Sequence, residues 1–221
     1  MSDRTEILIK YVINLSKGID NSFAIAVMSN LGQNPQKKFL SDVEKLSKSS
    51  EEIKMLYIAA MKRVEKIDVN TVPYNLSLVC FVTSFEILLY DLFAFILNND
   101  ENLKKKILNS ESRVPIEYLE KYKNNEISFA DIVIKIKNFN FQNLESASNA
   151  FIWLGKPSIL KILNDLKHLE KIRDAINKRH RIVHQGFNDD TMTMDEVAEL
   201  NAIFLISGIT IYGQIFYNYS K

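Results

Sequence analysis

Glycine and proline are scarce in this chain, 6 and 4 among 221 residues. That is too few for the many tight turns of a β-sandwich or barrel, and it favours long helices. Cysteine is nearly absent. Cys80 is the single one, so neither an internal disulfide nor a Cys-based metal motif can form, and its neighbours Leu78, Val79, Phe81 and Val82 predict a buried thiol. A dominant charge sign is missing as well. With 28 basic and 27 acidic residues the net charge is +1, so any polyanion site is a local patch. The chain also lacks a phosphate-cradling Gly-rich loop, His-Glu-x-x-His, Gly-x-Ser-x-Gly and Cys-x-x-Cys. What remains is 47% hydrophobic and 25% charged, the composition of a folded globular protein.

Uninterrupted apolar runs are few. Met1 to Asp20 carries acids and Lys10 within its apolar stretch, which argues against a secretory leader. Tyr74 to Leu97 contains Glu86 and Asp91, and Ala202 to Tyr219 is diluted by Ser207, Thr210, Gln214, Asn218 and two glycines. Both are expected to be core or interface helices rather than membrane spans. The expectation is a soluble, cytoplasmic protein with no membrane partner.

Apolar spacing divides the chain into helices. Arg4 to about Asn30 reads as the first, closed by Gly32 and Pro35, and about Gln36 to Ile67 as a second, amphipathic one. The pair suggests an N-terminal helical hairpin or extension over residues 1–67, followed by a helical domain over 68–221. Tyr74 to Asn98 is the most hydrophobic and hence the central helix. Shorter pieces follow at Glu101 to Asn109, Pro115 to Asn124 and Ser128 to Lys137, although Ile132 to Ile136 can pass for a strand. Asn138 to Pro157 is a structured connection of undefined shape. Ser158 to about Gln185 reads as one long helix ended by Gly186. Thr193 and Glu196 form a capping box that opens the last helix, Met194 to Tyr219.

Two of the three histidines sit four positions apart, in Lys178-Arg179-His180-Arg181-Ile182-Val183-His184. On a helix, Ile162, Leu166, Leu169, Ile172, Ile176 and Val183 make an apolar stripe. Arg173, His180 and His184 fall along one edge of it, with Asn177 just beyond. Arg179 falls on the other edge, and Lys178 and Arg181 point outward. Arg179 and His184 are separated by about 140° around a straight helix. Either the helix distorts before Gly186, or a second copy of the protein completes a shared site.

The octet Arg179-His180-Arg181-Ile182-Val183-His184-Gln185-Gly186 resembles the Arg-polar-x(3–5)-His signature of HEPN domains, small helical domains common in prokaryotic defence and toxin–antitoxin systems. The apolar helix around Glu86 is similar to an early helix of several such families. The resemblance covers roughly Thr71 to Tyr219. It implies an all-α, HEPN-like up-and-down helical bundle carrying the N-terminal extension. It also implies a homodimeric, metal-independent endoribonuclease with a composite active site, and no cofactor.

In that scheme the ribose 2′-hydroxyl attacks its own phosphate. His184 serves as general base or acid, and Arg179 stabilises phosphate charge. His180 holds the phosphate or supplies the second proton-transfer group. Lys178, Arg181 and Arg173 guide the RNA backbone. Asn177 and Glu86 support the site, Glu86 either by pairing with Arg179 or Arg173 or as an ordinary core carboxylate. A metal pair at His180 and His184 lacks an obviously placed third ligand. An antitoxin or regulatory protein is a further expected partner. One HEPN subgroup carries a modifiable tyrosine two residues after the histidine; here Gly186 stands there. The alternative function is a non-catalytic helical module for RNA or nucleotide binding, or for dimerisation.

Overall fold

A computed structural model describes residues 4–30, 71–110 and 114–216. The proposed Gln36 to Ile67 helix and the Gly32–Pro35 closure lie outside them. Within the described residues the protein is all-helical, with no strand. Its helices are α1 (Arg4–Asn30), α2 (Val72–Asn99), α3 (Glu101–Ser110), α4 (Ile116–Lys123), α5 (Phe129–Lys137), α6 (Leu144–Trp153), α7 (Ile159–Asp165), α8 (Leu169–Gln185) and α9 (Met194–Phe216).

α2 is the central element because its apolar residues cover more than one face. Leu78, Phe81, Val82, Phe85, Leu88, Leu89, Leu92 and Phe93 are all essentially inaccessible to solvent. A helix apolar over that much of its circumference must be packed from several sides. α1, α9, α8 and α5 all pack against it. Pro73 sits in its first turn, where the missing N–H has no helical partner to lose. α1, taken from sequence as part of the extension, contributes Tyr11 and Leu15 to the same core. The Tyr11 hydroxyl donates to the Phe204 carbonyl, and burial pushes its pKa far up. Phe204 in turn packs edge-on against Phe85 at 5.5 Å.

By length and composition, α2 and α9 could each cross a membrane; about half of each apolar window is buried inside the molecule. Both acids of α2 are matched within the protein: Asp91 pairs with Lys10 at 2.6 Å, and Glu86 pairs with Arg179. Cys80, expected to be buried, is half-buried.

Several expectations change at helix ends. Ile132 to Ile136 is helical, not extended. Ser128 accepts from the Asp131 backbone N–H while the Asp131 carboxylate accepts from the Ser128 N–H, and this reciprocal cap starts α5 despite the β-branched run. The undefined stretch after it contains α6. The Thr193–Glu196 box is half formed. The Glu196 N–H reaches Thr193 Oγ1 at 3.2 Å, but the carboxylate turns to Lys178 at 3.1 Å.

The single helix expected over Ser158 to Gln185 is two helices. Lys167 adopts a left-handed backbone conformation, φ 61°. Its N–H bonds the Asn164 carbonyl, and the His168 N–H bonds the Leu163 carbonyl, both at 2.9 Å. This is a Schellman closure built without glycine. A left-handed non-glycine residue costs about 1–2 kcal/mol, so nothing in the sequence marks the break. His168 Nδ1 lies 3.0 Å from Ser207 Oγ and ties the corner to α9.

Candidate functional site

The break after α7 resets which face of α8 packs inward. Ile172 and Ala175 are buried, and Ile176 and Ile182 pack partly against the core. On a 3.6-residue helix, Arg179 then lies in the middle of this inward face rather than on its edge. Val183, expected in the apolar stripe, is 49% exposed. Gly186 ends the helix with φ 61°, its N–H returning to the Arg181 carbonyl.

Arg179 therefore faces α2, where its guanidinium meets the Glu86 carboxylate at 3.4 Å. The pair is poorly saturated. Arg179 Nε and Glu86 Oε1 are buried with no hydrogen-bond partner among the described residues. Burial pushes the Glu86 carboxyl above its ordinary pKa, and the Arg179 charge opposes that rise.

His180 and His184 lie on the exposed flank of α8, with ring centroids 4.6 Å apart and tilted by 47°. One protomer thus brings the two imidazoles together and turns Arg179 away from them. Among the described residues no hydrogen bond joins Arg179 to His184, and no cluster of three His, Cys, Asp or Glu residues suits a metal ion.

The basic residues expected to guide RNA are mostly engaged. Arg173 pairs at 2.8 Å with both Glu145 and Glu170. Lys178 bridges Asp189 at 2.9 Å and Glu196 at 3.1 Å. Burial lowers the Lys178 pKa, but its two carboxylate partners raise it further, so the net shift is upward. Arg181 stacks over Phe187 at 3.8 Å and remains exposed, as does Asn177. Asp189 belongs to a clamp that holds the α8–α9 connection. Its N–H donates to Asn75 Oδ1 at 2.9 Å, and Asn75 Nδ2 donates back to its carbonyl at 3.2 Å. Nothing in the local sequence around Asn75 announces a partner more than a hundred residues away.

A groove of about 490 Å³ opens beside Glu86 and Arg179. Its walls come from Thr83, Ile87 and Tyr90 of α2, from Asp131, Ile134 and Lys135 of α5, and from Phe139 to Gln142 after α5. The Tyr90 hydroxyl donates to Asp131 Oδ1 at 2.7 Å. Of these lining residues, sequence reasoning singled out only Glu86 and Arg179 as site residues. The Ser128-x-x-Asp131 cap was a readable helix signal, but the approach of Tyr90 and Phe141 depends on tertiary packing.

No family model, curated protein or solved structure matches this chain.

Two solvent-facing imidazoles side by side offer one group to accept a proton and one to donate it. A guanidinium held by a single long contact can bind a phosphate oxygen if Glu86 is displaced or shared. In one copy these capacities occupy different faces of α8.

Proposed function

We propose that the protein is a metal-independent endoribonuclease of the HEPN type, acting in the cytoplasm in defence, as a toxin or in a stress response. Its site is shared between two copies. The observation that carries this reading is the exposed His180–His184 pair in the last turns of α8, on the same helix as an Arg179 whose Nε has no hydrogen-bond partner among the described residues.

In the proposed reaction the ribose 2′-oxygen attacks the adjacent phosphorus and the bond from phosphorus to the 5′-oxygen breaks. The products are a 2′,3′-cyclic phosphate and a 5′-hydroxyl. His184 accepts the 2′-hydroxyl proton or donates one to the leaving 5′-oxygen. His180 provides the opposite transfer or holds the phosphate. Arg179, supplied by the other copy, stabilises the charge that develops on the phosphate. Arg181 is the basic residue best exposed to meet the RNA backbone. A regulatory protein could act by covering this end of α8.

The test is cleavage of labelled RNA in EDTA by the purified protein and by His184→Ala. Cleavage that depends on His184 supports the proposal. Intact RNA at high protein concentration, or equal cleavage by the variant, contradicts it.

The Glu86–Arg179 ion pair favours a second reading, a non-catalytic dimerisation or RNA-binding module in which Arg179 is structural. That reading expects RNA to be retained without turnover, or Arg179→Ala to alter dimer stability alone.

A further inference from the structure

We propose that the groove between α2, α5 and the segment after α5 is a nucleobase subsite, which receives an unpaired base of the RNA strand beside the phosphate at Arg179. The inference rests on the ribonucleolytic reading for the identity of the strand, but the groove's own features choose the ligand class. Its volume of about 490 Å³ falls within the range of small-ligand sites. Tyr90 and Phe141 line it, edge-to-face at 5.9 Å. Phe93, fully buried behind them, packs against Phe141 at 5.2 Å. Phe141 is thus fixed from behind while still partly open to the groove, the arrangement that stacking a planar ring requires.

Charge selects among planar ligands. Glu86 is balanced by Arg179 and Asp131 lies beside Lys135, so the lining carries no net charge and suits a neutral base better than a cation or a lone anion. Asn140 and Gln142 add amide groups able to read a base edge. The Oδ1 of Asn140 accepts from the Gln142 N–H at 2.9 Å; among the described residues no hydrogen bond engages the Asn140 Nδ2 or the Gln142 amide. An unpaired base has the exposed face and edge that such a site needs, and a paired one does not.

Trp153, the single tryptophan, lies 5.9 Å from Phe139 of the groove and provides an intrinsic fluorescence reporter. The experiment titrates the protein with the four ribonucleoside 3′-monophosphates, their nucleosides and inorganic phosphate. The expected result is a saturable change with at least one nucleotide and its nucleoside, and none with phosphate alone. Phe141→Leu should weaken binding about tenfold, as loss of one stacking contact does. Ile87→Glu, at a 37% exposed position, should weaken the nucleotide comparably without disturbing the core. Arg179→Ala should weaken the nucleotide more than the nucleoside, because it removes the phosphate's partner as well as a charge of the groove lining.

Absence of binding at about 10 mM nucleotide, weaker than any useful site, overturns the proposal. So does an equal response to phosphate alone, or wild-type affinity in both groove variants. Nucleotide binding without RNA cleavage keeps the subsite and removes the ribonuclease reading. Cleavage unaffected by both groove variants does the reverse.

Discussion

Arg179 and Glu86 meet at 3.4 Å across the α8–α2 contact, yet one polar atom of each is buried without a partner among the described residues. A buried pair of this kind is weak evidence for stability, because desolvation offsets much of the attraction. Removing one partner is a different matter, since it strands the other charge. Glu86→Leu and Arg179→Leu should each destabilise the protein by about 3 kcal/mol. The double variant should recover most of that loss. Urea unfolding of the four proteins checks the cycle; additive losses would mean that the two groups act independently.

The Glu86 carboxyl, pushed above its ordinary value by burial against the opposing pull of Arg179, also gives a pH signature. A carboxyl whose folded pKa is raised contributes stability below its unfolded pKa, and that contribution is lost as pH rises through the folded value. Glu86→Gln should therefore flatten the fall in stability as pH rises above the ordinary carboxylate range. Stability measured against pH for both proteins is the check. Unchanged profiles would mean that Glu86 titrates normally.

Tyr90 titrates at the opposite extreme. Burial, the hydrogen bond to Asp131 and the charge of Asp131 push its phenol up to about 12. The raised value means that its contribution is complete below the ordinary phenol range and is lost as pH rises through about 12. Asp131→Asn should bring the tyrosinate transition of Tyr90 down toward the ordinary range. Ultraviolet titration, with Tyr90→Phe to identify the group, will show whether it moves.

Gly208 faces the ring of Tyr11 so closely that an added Cβ would lie 2.1 Å from Tyr11 Cε1. The ring cannot swing aside cheaply, because its hydroxyl is bonded to Phe204. Gly208→Ala should cost about 2–3 kcal/mol through overpacking. Tyr11→Ala in the same background should relieve the clash, so the double variant should be less destabilised than the sum of the singles.

Local signals in the sequence were legible wherever one residue type settles the structure. Pro73 marked the start of α2, Gly186 marked the end of α8, and the apolar density around Phe81 and Phe85 identified the central helix. The break at Lys167 was illegible because a lysine occupies a conformation that usually selects glycine. That break hid the true inward face of α8 and placed Arg179 on an edge. The Arg179–His184 separation was readable from helical geometry alone. The Lys178–Asp189–Asn75 chain was not, because it joins elements distant in sequence. The same limit hid the groove, whose aromatic wall exists only after α5 and the segment behind it fold against α2.

In the proposed dimer, Arg179 of one copy acts with His184 of the other. Arg179→Ala and His184→Ala, each inactive alone, should regain cleavage when coexpressed, because a mixed dimer contains one intact composite site. Random pairing predicts about a quarter of wild-type activity, from half the dimers each with one of two sites. A coexpressed mixture in which mixed dimers are demonstrated, yet which cleaves no better than either parent, would contradict the account.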